Sequence, residues 1–198
     1  MGIELSEVAA RYARDRMGLQ VVAGELSSQF SQSVKPFDVV VLFHVIEHVP
    51  DPIGFLELCR RITRPNGRLI LKTPNVASLV ARLTGAGWHW LCPPAHLWLY
   101  SPPTLERLLK RVGYQPRYLR STRGDAHNNL FAILSGAARH GLSQAQTQSL
   151  LAHRRSLPVR MIEGLTEFLY YPLRLTVDPW LATKMWQPEL YAVASARG

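Results

Sequence analysis

The residues best suited to moving a proton are histidines in two short segments, HVIEHVPDP (His44–Pro52) and PPAHLWLY (Pro93–Tyr100). Imidazole titrates near neutral pH, so it can take or give a proton under ordinary conditions. His48, with Glu47 before it, has two readings: it acts on a substrate proton, or it hydrogen-bonds neighbouring loops and shapes a pocket floor. His96 is either a general base or a loop histidine packed among Trp88, Trp90 and Trp98. His89 is a weaker candidate. The tryptophans themselves either line an apolar substrate pocket or form a loop core. Cys59 and Cys92 have no metal-ligand spacing and read as reduced thiols, so no metal site is expected. The cations Arg107, Lys110, Arg111, Arg117, Arg120 and Arg123 read first as a solvated face. Their sharper reading is a patch for a phosphate-bearing substrate or an anionic membrane surface. No recognition motif accompanies them, so nucleic acid is not an expected partner.

These residues need a scaffold, and the chain supplies an alternation of helix and strand signals. Ser6 can cap a helix in which Val8, Ala9, Tyr12 and Ala13 share one face, with Gly18 to end it. Leu19–Ala23 reads as a short strand. Val39–Phe43 is a continuous apolar run, the mark of a strand buried on both faces of a parallel sheet. Asp51-Pro52 starts a helix that buries Phe55, Leu56, Cys59 and Ile62. Pro65-Asn66-Gly67 reads as a turn and Leu69–Leu71 as the next strand. A short helix near Ser78–Leu83 follows, then a Trp- and Pro-rich loop. Ser101-Pro102 opens a helix that Gly113 closes. Residues 115–122 and 189–196 are the last strand candidates, and residues 128–185 read as mostly helical. This order predicts a doubly wound α/β sheet. With 198 residues, 47% apolar and 19% charged, the chain suits one soluble domain, expected in the cytoplasm. The charge of +9 is uneven: residues 1–98 hold ten Lys/Arg against eight Asp/Glu, and residues 99–198 thirteen against six.

Four segments in this order, GIELSEVAARYAR, VVAGEL, FDVVVLFHVIEHVPDP and RPNGRLILKTPN, resemble the class I S-adenosylmethionine-dependent methyltransferases of bacteria that act on small molecules. The likeness continues through PPAHLWLYSPPTLERLLKRVGY, to about residue 135, and returns in the final strand. It implies a Rossmann-like sheet whose last strand is antiparallel, a helical insertion before that strand (residues 128–185), and S-adenosylmethionine as cofactor. GIELS matches the end of the family's second strand. The first strand and its glycine-rich turn are therefore expected to be missing from this chain, and the cofactor to bind weakly. The same reasoning expects Leu19–Ala23 and Val39–Phe43 either to pair directly or to leave open strand edges.

By this resemblance Glu4 would hold the cofactor's ribose, because a carboxylate can accept from two adjacent hydroxyls. Leu5 would cover the adenine, Glu25 and Leu26 would meet its edge, and Phe43 and His44 would border the methionine part. Glu25 departs mildly from a pattern that often has Asp. His96 would be the leading catalytic residue, with His48 second. The implied activity is methyl transfer to a small or lipid-linked acceptor. A peripheral membrane contact is envisaged through Trp180 and Trp186. The competing reading is a catalytically inactive methyltransferase-like domain that binds a partner.

Overall fold

A computed structural model describes residues 1–122 and 187–197. The expected helical insertion, 128–185, lies outside the described residues, as do Arg123, Trp180 and Trp186.

The chain begins with β1 (Gly2–Glu4), α1 (Glu7–Met17) and β2 (Val21–Ala23). Ser6 caps α1 by accepting from the Ala9 N–H, and Gly18 ends it in the left-handed region at φ 66°. β1 and β2 pair in parallel as a separate two-stranded sheet. Next come α2 (Ser28–Ser33), capped by Ser27, and β3 (Phe37–Phe43). Then follow α3 (Pro52–Arg61), β4 (Thr63–Pro74), α4 (Leu79–Thr84), α5 (Pro102–Arg111), β5 (Tyr114–Thr122) and β6 (Glu189–Ala196). β3, β4, β6 and β5 form a four-stranded sheet in that order. β3 and β4 are parallel, and β6 is antiparallel to both of its neighbours.

The core lies between this sheet and helices α3 and α5. Leu56 and Cys59 of α3, Leu105 and Leu109 of α5, and Leu69, Leu71, Tyr114 and Leu190 of the strands are all fully buried. Burial pushes the Cys59 thiol up to about 12, which suits an inert packing residue. α3 buries Leu56, Cys59 and Ile62, and Phe55 packs at its margin, as the sequence pattern predicts.

Three expectations need correction. Pro65-Asn66-Gly67 does not separate two elements; it is a bulge within β4. Thr63 pairs with Phe37 but Arg68 with Val39, so the intervening residues loop out, and Asn66 turns the backbone at φ 61°. Gly67 is required there, since a Cβ would meet the Arg64 carbonyl at 2.9 Å and the Asp38 carbonyl at 3.0 Å. β3 is not buried on both faces: Val39, Val41 and Phe43 are half-exposed, and only Leu42 is buried. Among the described residues nothing covers that face. For the same reason the apolar stripe of α1 is not a core face, with Val8 77% and Tyr12 62% exposed.

The two strands expected either to pair or to leave edges open do the latter. β2 pairs with β1, and β3 with β4, so among the described residues one edge of β3 has no strand beside it.

Candidate active site

At the carboxyl end of β3 the chain turns sharply at His44, whose backbone lies in the left-handed region at φ 53°. Non-glycine residues avoid that region, and such strain gathers where the surrounding structure enforces it. Here the His44 N–H donates to the Lys72 carbonyl at 2.9 Å, and the His48 N–H donates to the Val45 carbonyl at 3.0 Å. The turn buries Ile46 and Glu47 completely and leaves His48 exposed. The carboxyl ends of strands in open α/β sheets are where ligands bind.

The loop of residues 88–100 is fastened onto this turn. The Leu97 and Trp98 N–H groups donate to the Glu47 carbonyl at 2.8 and 3.2 Å. The Trp98 indole donates to the Val49 carbonyl at 2.9 Å. The Tyr100 hydroxyl donates to the Ile46 carbonyl at 3.4 Å, and burial raises its pKa. The His48 and His96 rings meet edge-on, with centroids 4.7 Å apart. His48 Nδ1 lies 2.7 Å from the Ala95 carbonyl, and His96 Nδ1 lies 2.6 Å from the Trp90 carbonyl. A carbonyl only accepts, so both Nδ1 atoms carry a proton. That leaves each Nε2 as the acceptor of a neutral ring.

Beneath these rings is a buried charge network. Glu47 Oε1 lies 3.2 Å from His44 Nδ1, and Glu47 Oε2 accepts from the Thr73 hydroxyl at 3.0 Å. Glu189, at the start of β6, is 1% exposed; it pairs with Lys72 at 2.8 Å and faces His44 Nε2 at 3.6 Å. The hydrogen bond that His44 donates to Glu47 raises the His44 pKa, helped by the Glu189 charge and opposed by burial and Lys72. Burial pushes the Glu47 carboxyl up, but hydrogen bonds from His44, its own backbone and Thr73 outweigh this and hold it below its ordinary value. Glu47, His48 and His96 bring one ligand-type atom each within 4.8 Å of one another.

The three loop tryptophans do not share one pocket. Trp88 is buried with Val80 and Ala81 in a small satellite core. Trp90 stacks on both His44 and His96, and Trp98 is 44% exposed. His96 stacks on Trp90, which also packs against the Trp88 cluster. His89 lies beside Trp90 with ring centroids 5.1 Å apart.

The cofactor candidates sit on other strand ends. Glu4 closes β1, and its Oε1 accepts from the Ser6 N–H at 2.9 Å. Leu5 follows at 72% exposure. Glu25 and Leu26 follow β2; Glu25 is exposed and Leu26 packs on the main core. Glu4 and Ala23 are paired, so these two strand ends lie side by side. Phe43, at the end of β3, is 52% exposed. Of the basic run, Lys110 pairs with Glu106 at 2.6 Å, Arg117 donates to the Ser195 hydroxyl and Arg120 lies over the Tyr118 ring.

Sequence reasoning did not single out Lys72 or Glu189. The available signals were a lysine directly after the apolar run Leu69–Leu71, and a glutamate opening the last strand.

A methyltransferase-domain family profile matches residues 2–119. The chain belongs to the methyltransferase family. A ubiquinone biosynthesis O-methyltransferase of Cereibacter sphaeroides is 36% identical over 86 residues, 40% of this chain and 35% of that enzyme. One from Alkalilimnicola ehrlichii is 28% identical over 170 residues, 80% of this chain and 65% of that enzyme. This methyltransferase-family chain thus spans about one to two thirds of the length of these curated relatives. Among solved structures, a SAM-dependent methyltransferase from Archaeoglobus fulgidus superimposes with a TM-score of 0.54 at 17% identity, covering 98% of this chain and 74% of that one. At that identity the likeness shows the fold, a Rossmann-like α/β sheet with an antiparallel last strand. No helix of the described residues is long and apolar enough to cross a membrane.

Proposed function

We propose that this chain carries out S-adenosylmethionine-dependent methyl transfer to a small or lipid-linked acceptor, with His96 as general base and His48 beside it. The observation that carries the reading is the pair of imidazoles fixed at the carboxyl end of β3, each tied at Nδ1 to a backbone carbonyl and presenting a basic Nε2. Two curated relatives are O-methyltransferases, which favours a hydroxyl acceptor for this chain too. A hydroxyl must lose its proton during transfer, and on this reading His96 Nε2 takes it. The rest of the rate would come from positioning the acceptor oxygen.

The residues present fit the cofactor's adenosine end. Glu4 offers a carboxylate with one oxygen unused among the described residues, next to the exposed side chain of Leu5. Glu25 and Leu26 follow the neighbouring strand, and by the family resemblance Phe43 and His44, at the end of β3, would border the methionine part. When bound, S-adenosylmethionine supplies the activated methyl group. The same reading places the chain in the cytoplasm, treats residues 128–185 as a helical insertion, leaves nucleic acid out as a partner and admits a peripheral membrane contact for reaching a lipid-linked acceptor.

The test is calorimetric titration with S-adenosylhomocysteine together with labelled methyl transfer to catechols with and without a prenyl tail. His96→Ala should lower turnover by about 100-fold and leave S-adenosylhomocysteine affinity within about 3-fold, roughly 0.7 kcal/mol. Unchanged turnover removes His96 as base. An equal loss of cofactor affinity puts the loop on the cofactor side.

A further inference from the structure

His44 is held on both sides of its ring. Glu47 lies 3.2 Å from Nδ1 and Glu189 lies 3.6 Å from Nε2; both acids are buried, one from the same turn and one from β6. The Trp90 indole lies parallel to that ring, at 5.3 Å and 7°. Its Nε1 is buried and has no hydrogen-bond partner among the described residues, so ring contact rather than a hydrogen bond to them sets the indole's orientation. Trp90 then meets His96 twice. Its carbonyl accepts from His96 Nδ1 at 2.6 Å, and the two rings stack at 5.6 Å and 17°.

We propose that His44 is a positioning residue: its doubly clamped ring is the platform that fixes Trp90 and, through Trp90, the direction in which His96 presents Nε2. The last link rests on the reading of His96 as general base; the platform itself does not. Two facing carboxylates favour the imidazolium, and the charged groups around His44 are Glu47 from its own turn, Glu189 from β6 and Lys72 from β4, of which only Lys72 opposes protonation. A cation against an indole face is attracted to it, which strengthens the contact. The strained backbone at φ 53° is consistent with a residue fixed by its surroundings.

A protonated imidazole in contact with an indole quenches its fluorescence, so the platform has a signature separate from turnover. In the full chain, tryptophan emission should rise as the pH is raised through the titration of His44. The transition should vanish in Trp90→Phe and in His44→Gln. Nitrogen NMR of the histidine side chains should show His44 titrating above the ordinary imidazole value. Trp90→Phe keeps a flat ring on the platform, so the test stands if His44→Gln fails to fold. With a catechol acceptor, His44→Gln should lower kcat by about 10-fold with little change in KM, and should add less than about 2-fold in a His96→Ala background. An emission transition that survives in Trp90→Phe, or losses from His44→Gln and His96→Ala that multiply independently, overturns the proposal. If His96→Ala leaves turnover unchanged while the emission transition still depends on both Trp90 and His44, the general-base reading falls and the His44 platform stands.

Discussion

Glu47 and Glu4 are both carboxylates at the carboxyl ends of strands, but they are held differently. Glu47 is fully buried, and its two oxygens are engaged by side chains from its own turn and from β4. Glu4 bonds to a backbone N–H two residues away. The contrast extends to their surroundings. The His44–Glu47 cluster joins β3, β4, β6 and the loop of residues 88–100, so its formation reports that distant parts of the chain have assembled. The β1–α1–β2 unit pairs mainly with itself and leaves Leu5, Val8 and Tyr12 exposed. The proposed acceptor side is thus tied to global stability, whereas the proposed adenosine side is a local unit that can change without cost to the core.

The sharpest way to break this comparison is to remove one cation from each region. Lys72→Met removes the cation 2.8 Å from Glu189 and leaves that buried carboxylate facing His44 at 3.6 Å. Removing one member of a buried pair costs about 3–5 kcal/mol, and urea unfolding should show a loss in that range. Arg14→Met breaks an ion pair with Glu7 whose members are 36% and 59% exposed, together with a bond to the Val21 carbonyl. Its cost should stay near 1 kcal/mol. Equal losses would show that the amino-terminal unit is as tightly coupled to the fold as the charge network.

A smaller loss is expected from Thr73→Val, which keeps the shape but removes the donor to Glu47 Oε2. Leaving a buried carboxylate one bond short should cost about 1–3 kcal/mol. The pH dependence gives the sign. Glu47 titrates below its ordinary value when folded, so its contribution is present above the unfolded pKa and fades as the pH falls through the folded one. The wild-type advantage over Thr73→Val should therefore shrink on acidification. His44 behaves in the opposite sense. Its pKa is raised, so its contribution is complete below about 6.5 and is lost as the pH rises through the folded value. The stability gap between wild type and His44→Gln should be widest in mild acid and narrow on the alkaline side. A gap that widens with rising pH would mean that His44 is neutral in the folded protein.

The same contrast explains what could be read from the sequence. Local signals were reliable: Ser6 and Gly18 bracket α1, Asp51-Pro52 opens α3, Ser101-Pro102 opens α5, and β6 occupies residues 189–196 as expected. Burial was less legible, because an apolar residue is buried only where another element covers it. Val8, Tyr12, Val41 and Phe43 carry the pattern of a core face, but no described element covers them. α2 gave little periodic signal; its six residues SQFSQS contain a single aromatic, and Ser27 as cap was its one local mark. The Lys72–Glu189 pair could not be read locally, since it depends on β4 and β6 meeting in one antiparallel register, with Pro74 opposite Glu189. Its consequence at His44, a ring faced by both Glu47 and Glu189, was hidden with it.

The smallest expected effect on stability is also the most direct test of the adenosine side. Glu4→Gln keeps the carbonyl oxygen that can accept from the Ser6 N–H, so the start of α1 should hold. The position is partly exposed and makes no other side-chain bond among the described residues, so unfolding free energy should change by less than about 0.5 kcal/mol. Binding should respond differently if Glu4 receives the ribose. A carboxylate accepts from both hydroxyls through charged oxygens, whereas an amide offers one neutral acceptor and turns donors toward the other hydroxyl. A charged hydrogen bond is worth about 1.5–3 kcal/mol, so S-adenosylhomocysteine affinity should fall by about 10-fold or more whatever its starting value. His96→Ala, measured beside it, should leave that affinity nearly unchanged. If Glu4→Gln binds as well as wild type, the ribose is held elsewhere, and the exposed strand ends at Glu4 and Glu25 are solvated acids rather than half of a cofactor site.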